Sequence, residues 1–214
     1  MAAVLPSGTA VTRIGIDFDN TLIDYDQVFT AAAKRRGLID AAFDGLKRAV
    51  RDSIRSLPDG EFAWQLLQGY VYSTGIGSAT MFDGADVFLR ECRAKGFDVF
   101  VISHKTQFGH HDPRRVDLRR AALDWMAERG FFCSNGFGIP IERVFFESTR
   151  AAKLERICAL GCTHFIDDLE EVFSDPAFPA RVLPILFAAT GTLRTGTVCS
   201  SWQQIAQVLF GGHG

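Results

Sequence analysis

The sequence predicts an α/β protein with a doubly wound parallel sheet and a small α-helical cap insertion, and three observations carry that prediction. Short apolar runs rich in Val, Ile and Phe recur along the chain, helical patterns lie between them, and residues 22–82 break the alternation by carrying helical patterns alone. Strands that are apolar without alternation are buried on both faces, and strands alternating with helices form a parallel sheet through crossover helices. The expected division is an α/β core of residues 1–21 and 83–214, with a helical cap of residues 22–82 inserted between them.

In chain order the apolar runs are residues 11–16 (VTRIGI), 97–102 (FDVFVI), 143–146 (RVFF), 163–166 (THFI) and 182–187 (VLPILF). Helices are predicted over 83–95, 113–129 and 150–160, with a last one over 202–209. In the segment from Arg150, residues Ala151, Leu154, Ile157, Cys158 and Leu160 recur near helical period, and Gly161 stands where a C-terminal cap belongs. Pro184 cannot donate to a ladder, so the last apolar run is expected at a sheet edge or as a strand that starts late.

Within the insertion, residues 25–36 and 41–56 have the pattern of amphipathic helices, parted by Gly37 and followed by the turn signal Pro58-Asp59-Gly60. Residues 61–72 are predicted as a third helix, and Gly75 and Gly77 mark the return to the core, where a hinge could sit. The aromatics Phe62, Trp64, Tyr70 and Tyr72 are expected in the insertion's own core or at its contact with the main body. Lys47, Arg48, Arg51 and Arg55 put positive charge along the second helix, where it could meet an anionic substrate, but Asp44 and Asp52 are interleaved and favour a solvated face.

Composition narrows the class of protein. With 214 residues, 47% hydrophobic and 22% charged, the chain suits one globular domain carrying an insertion better than two full domains. A formal net charge of -2 gives no electrostatic reason to bind nucleic acid or an anionic membrane. Residues 1–10 lack a basic start and a long apolar run, and no stretch reaches the roughly 18 apolar residues of a membrane span, so a cytoplasmic location is expected. The cysteines, Cys92, Cys133, Cys158, Cys162 and Cys199, include one close pair, whose spacing fits neither a zinc knuckle nor a redox motif; reduced thiols are expected.

The chemistry-bearing stretch is Asp17-Phe18-Asp19-Asn20-Thr21-Leu22, directly after the first apolar run. Open parallel sheets bind ligands beyond the carboxyl ends of their strands, which is where these aspartates fall. Two carboxylates one residue apart reach one site only if the chain bends, and Asn20-Thr21 can supply a turn. Alone, an Asp-x-Asp pair is more often a solvated turn or a helix cap. Three features follow, however: Ser103 closes FDVFVIS, Lys153 stands near the start of the helix in ESTRAAKLERI, and Asp167-Asp168 close THFIDD.

These four features, in this order, resemble the signature of the haloacid dehalogenase-like (HAD) hydrolase superfamily across residues 14–187, with the helical insertion where many members carry a specificity cap. The resemblance implies a magnesium-dependent phosphohydrolase in which Asp17 is the nucleophile and Asp19 the proton donor and acceptor, while Ser103 and Lys153 hold the phosphoryl oxygens. It also implies metal ligands: the Asp17 carboxylate, the Asp19 backbone carbonyl, Asp168, and Asp167 directly or through water. Carboxylates about 4 Å apart repel by about 4 kcal/mol at an effective dielectric of 20, a penalty that a divalent cation removes. Oxygen-only ligands favour a hard ion, and phosphate chemistry favours Mg2+. Dehalogenases of the superfamily attack carbon and lack the second aspartate, so Asp19 favours phosphoryl transfer.

The expected substrate is a small phosphorylated metabolite, a sugar phosphate ahead of a nucleotide, removed through an aspartyl-phosphate. A phosphomutase or phosphotransferase would share every one of these residues, and a non-catalytic binding protein of the same fold commonly lacks the nucleophile or the acid, both present here. Among the polar residues after Ser103, Lys105 is the candidate for a phosphate contact because it adds charge, with His104 and Thr106 beside it. The His110-His111-Asp112 run has the composition of a metal cluster but the setting of a solvated loop. Gly136-Phe137-Gly138 precedes a strand instead of following one, so it is a loop and not a nucleotide fingerprint.

Overall fold

The structure, a computed structural model, describes residues 11–109 and 114–211. Its centre is a parallel sheet of six strands in the order β5-β4-β1-β6-β7-β8. The strands are β1 (Arg13–Ile16), β4 (Asp98–His104), β5 (Val144–Glu147), β6 (His164–Asp167), β7 (Leu183–Phe187) and β8 (Thr197–Cys199). A separate antiparallel pair is formed by β2 (Ile23–Asp24) and β3 (Thr80–Met81). The helices are α1 (Asp26–Arg35), α2 (Lys47–Arg55) and α3 (Gly60–Tyr72) in the insertion, then α4 (Ala85–Ala94), α5 (Leu118–Glu128), α6 (Arg150–Ala159), α7 (Glu170–Phe173) and α8 (Trp202–Phe210).

Side chains that alternate along a strand show that both faces of the sheet are covered. On β4, Val99 and Val101 enter the larger apolar cluster, whereas Phe100 and Ile102 enter the smaller. The larger cluster takes Phe88 of α4, Trp125 of α5 and Trp202 of α8, and runs on into the insertion. The smaller takes Leu154 and Ile157 of α6 and Val172 of α7. Gly15 faces that second layer between its neighbours: a β-carbon there would meet the Phe165 ring at 2.6 Å, so the absent side chain is what lets Phe165 of β6 lie across β1.

Several bounds differ from expectation for identifiable reasons. The helix expected over 41–56 starts only at Lys47, because Asp40 closes a local turn, its Oδ1 accepting from Ala42 N at 2.8 Å and its carbonyl from Phe43 N at 3.1 Å. The helix expected over 113–129 starts at Leu118, capped by Asp117, whose Oδ1 accepts from Arg119 N and Arg120 N at 2.9 Å each. Gly161 does end α6 with a φ of 64°. β7 is not at the edge: β8 lies beyond it, and pairing with β8 starts at Ile185, one residue past Pro184. Leu183 N donates toward β6, to Thr163 O at 2.9 Å, so the nitrogen of Pro184 faces the other side, where the ladder has not begun.

The insertion packs α1, α2 and α3 through Phe29, Ala33, Val50, Ile54, Trp64 and Leu67, with the Phe29 and Trp64 rings stacked at 5.0 Å. Trp64 and Tyr72 thus fill the insertion's interior and its contact with the core, while Phe62 is half-exposed. The return crossing at Gly75 and Gly77 is tied to α5 in this conformation. Trp125 Nε1 donates to Ala79 O at 3.1 Å, and Arg129 donates to Ala79 O at 2.8 Å and Gly77 O at 3.3 Å, so α5 fastens the return crossing.

Candidate active site

Three adjacent strands bring the predicted residues to one end of the sheet. β1 lies between β4 and β6, so Asp17 after β1, Ser103 near the end of β4 and Asp167 at the end of β6 are neighbours although they are far apart in sequence. Asp17 N donates to Ile166 O at 2.9 Å, which carries the β1–β6 pairing one residue past the strand and sets Asp17 beside Asp167. The chain then turns sharply: Asn20 has a φ of 59°, and Phe18 O accepts from both Leu22 N (3.0 Å) and Ile23 N (3.1 Å). Asparagine tolerates that left-handed conformation better than most residues.

Lys153 enters from the first turn of α6, which Thr149 caps by accepting from Ala152 N at 3.1 Å. Its Nζ donates to Asp17 Oδ1 and to Asp167 Oδ2, at 2.6 Å each. Asp167 Oδ1 also accepts from Leu169 N at 3.0 Å. Asp17, Asp167 and Asp168 each offer an oxygen within 4.8 Å of the others. Burial pushes the Asp17 carboxyl up to about 7, against the opposing pull of Lys153, and the charge of Asp167 adds to the rise. Asp168 is raised well above the carboxylate range by burial and by the charges of Asp17 and Asp167. Burial disfavours the Lys153 charge, but Asp17 and Asp167 outweigh it and raise its pKa.

Three carboxylates around one ammonium leave this buried group short of positive charge. That surplus, and a donor set made only of oxygen, fits a hard divalent cation.

Asp19 is held separately. Lys105 Nζ donates to both of its oxygens, at 2.9 and 2.7 Å, and Tyr25 OH donates to Oδ1 at 2.7 Å. Lys105 is 4% exposed. Its backbone is pinned by Lys105 N donating to Glu147 O (2.9 Å) and by Arg119 Nε donating to Lys105 O (3.0 Å). Ser103 is buried two residues past the last β1–β4 pair, Ile16 with Val101. The other polar residues of that loop turn elsewhere: His104 is exposed with Nε2 3.1 Å from Ser148 O, and Thr106 Oγ1 donates to Phe108 O at 3.1 Å. His110, His111 and Asp112 lie outside the described residues.

Two contacts to the catalytic turn were not expected from the sequence. Tyr25 holds Asp19; Lys47 of α2 donates to Asn20 Oδ1 at 2.7 Å and to Tyr72 OH at 3.1 Å. The insertion therefore touches the turn that carries the aspartates. The basic face of α2 is not simply solvated: Lys47, Arg48, Arg51 and Arg55 line a cavity of about 700 Å³ that also reaches Asn20 and Asp168.

No protein-family model matches this chain, and no curated protein matches it. Solved structures do. A haloacid dehalogenase-like family hydrolase from Streptococcus pneumoniae aligns with a TM-score of 0.59 at 13% identity, over 93% of this chain and 98% of that one. Protein Tyrosine Kinase A from Mycobacterium tuberculosis aligns with a TM-score of 0.61 at 14% identity, over 95% and 100%. A HAD family hydrolase from Deinococcus radiodurans R1, solved with bound phosphate and sodium, aligns with a TM-score of 0.54 at 15% identity, over 93% and 95%. The chain therefore has the fold of the haloacid dehalogenase-like hydrolases, a Rossmann-like α/β core.

Proposed function

We propose that this protein is a magnesium-dependent phosphohydrolase that removes phosphate from a small phosphomonoester through an aspartyl-phosphate on Asp17. The observation that carries this reading is the division of the aspartates into two environments. Asp17 shares a buried, cation-hungry cluster with Asp167, Asp168 and Lys153, whereas Asp19 is held apart by Lys105 and Tyr25. Two carboxylates in distinct surroundings suit two roles, one nucleophilic and one acid-base.

In this reading an Asp17 carboxylate oxygen bonds to phosphorus while the bond to the leaving oxygen breaks, and Asp19 gives that oxygen its proton. Asp19 then takes a proton from the water that attacks the aspartyl-phosphate, returning Asp17 and releasing inorganic phosphate. Ser103 and Lys153 hold the phosphoryl oxygens, Lys153 moving between carboxylate and phosphoryl partners. Asp17, Asp167 and Asp168, with the Asp19 backbone carbonyl, would hold Mg2+, which when bound supplies charge against the carboxylates and the phosphoryl oxygens. A cavity of about 700 Å³ that reaches Asp168, beside the aspartate cluster, supports a small phosphorylated metabolite such as a sugar phosphate. The Deinococcus neighbour, solved with phosphate, supports the substrate class. Because the Mycobacterium neighbour is named a protein tyrosine kinase, a phosphotransferase that hands the phosphoryl group to an acceptor other than water is the second reading.

Asp17→Asn is expected to reduce Mg2+-dependent turnover of p-nitrophenyl phosphate to background and to abolish acid-trapped phosphoprotein. Undiminished turnover in that variant would refute the covalent mechanism. Product analysis with an added alcohol acceptor separates the two readings: inorganic phosphate alone supports hydrolysis, a phosphorylated acceptor supports transfer.

A further inference from the structure

We infer that the preferred substrate carries a second anionic group, phosphate or carboxylate, on the part of the molecule that is not transferred, and that Arg48 and Arg51 of α2 receive it. This rests on the phosphomonoester reading of the aspartate site. The placement begins with Lys47, whose ammonium is fastened to Asn20 on the catalytic turn and to Tyr72. Positions four apart on a helix share a face and are separated by about 6 Å along its axis, so Arg51 and then Arg55 continue the cationic line outward from the aspartates. The adjoining face of α2 is apolar and buried through Val50 and Ile54, which fixes how the helix is turned. That face lines the cavity, with Phe187 and Ala188 also in its wall.

The basic residues are not equally available. Arg55 is engaged with Glu61 at 2.7 and 3.1 Å. Among the described residues, Arg51 pairs with its sequence neighbour Asp52 alone, at 2.9 Å, in an exposed pair of the weak kind. Arg48 has no ion-pair partner among the described residues. The carboxylates in the same wall are committed: Asp24 Oδ1 accepts from Asp26 N at 2.8 Å, Asp26 Oδ1 from Lys47 N at 3.2 Å, and Asp168 belongs to the buried cluster. Two guanidinium groups three residues apart on one wall, Arg48 beside Lys47 and Arg51 one turn further on, match a phosphate or carboxylate that can take paired hydrogen bonds.

The test compares paired substrates that differ in one anion. Fructose 1,6-bisphosphate against fructose 6-phosphate reports a second phosphate, and 6-phosphogluconate against glucose 6-phosphate reports a carboxylate. The wild-type protein with Mg2+ is expected to favour the member with the additional anionic group in at least one pair about tenfold or more in KM, the discrimination expected from charge-assisted hydrogen bonds. In the double variant Arg48→Gln/Arg51→Gln that ratio is expected to collapse toward one, and in Arg48→Lys/Arg51→Lys to fall to an intermediate value, because lysine keeps the charge but not the paired hydrogen bonds. The arm that shows the preference identifies the anion. No preference in either arm of the wild type, or a preference that survives the glutamine variant, overturns the inference. If no phosphomonoester is turned over, the proposed function fails by itself, and dissociation constants for the same pairs, measured by calorimetry, decide the recognition question with the same two outcomes.

Discussion

Replacing Lys153 by methionine removes one charge from the most buried part of the molecule while nearly preserving its volume. The ammonium lies 2.6 Å from Asp17 Oδ1 and 2.6 Å from Asp167 Oδ2. The three side chains are 2%, 7% and 0% exposed, so solvent does little to screen them. Removing one partner of a buried ion pair costs about 3–5 kcal/mol, because the remaining charge has lost its compensation without returning to water. For a chain of this length each kcal/mol moves the melting temperature by about 2–4 °C, so the expected loss in chelator-treated protein is roughly 6–20 °C. The assay is thermal and denaturant unfolding of Lys153→Met, Asp167→Asn and the double variant. Since the lysine also serves Asp17, the double variant should lose less than the sum of the singles, with a coupling of about 0.5–3 kcal/mol. Added Mg2+ should restore part of the lost stability of Lys153→Met by binding the folded state alone. A loss below about 1 kcal/mol, or strict additivity with Asp167→Asn, would refute the view that Lys153 is the counter-ion of this cluster.

Two further outcomes are expected. Lys105→Met should lower kcat by about 10–100-fold with a smaller change in KM, and the loss should be larger for alkyl phosphates than for p-nitrophenyl phosphate, because a good leaving group needs little protonation by Asp19; an equal loss on both substrates would speak against a positioning role for Lys105. A thiol reagent at pH 8 should label the exposed Cys133 and Cys158 in the native protein and leave buried Cys92 and Cys162, pushed up by burial to about 12 and about 11, until denaturation; rapid native labelling of Cys92 would contradict its burial.

The strands were legible because a sheet covered on both faces demands continuous apolar runs, and residues such as Ile14, Val101 and Ile166 supply them. The aspartates stood out because they close apolar runs, whereas Ser103 and Lys153 gained meaning only from their order in the resemblance to the HAD signature. What escaped depends on contacts between distant segments. β8 has three residues in a stretch of threonine and glycine, and becomes a strand only because Phe187 of β7 pairs with Cys199. The two-residue strands β2 and β3 have no pattern of their own. Tyr25 looked like the first residue of an amphipathic helix, and its role depends on the reversal at Asn20 that brings its hydroxyl to Asp19. The interleaved acids of α2 suggested a solvated face, because spacing within one helix does not show that α1 and α3 turn that face over a cavity.

The antiparallel pairing of Ile23 with Met81 and Asp24 with Thr80, continued by Phe82 N donating to Leu22 O at 3.0 Å, brings the two ends of the insertion together. They leave the core about one strand spacing, ~4.8 Å, apart. A segment whose ends are already joined adds closure entropy only logarithmically with its length, so it can be lengthened, shortened or exchanged at small cost to the sheet below. The strand ends that hold Asp17, Ser103 and Asp167 impose no length on what hangs from β2 and β3. An exchange cut between Asp24 and Thr80 has to keep a tyrosine at Tyr25 and a lysine at Lys47, because these two residues of the insertion reach back to Asp19 and to Asn20.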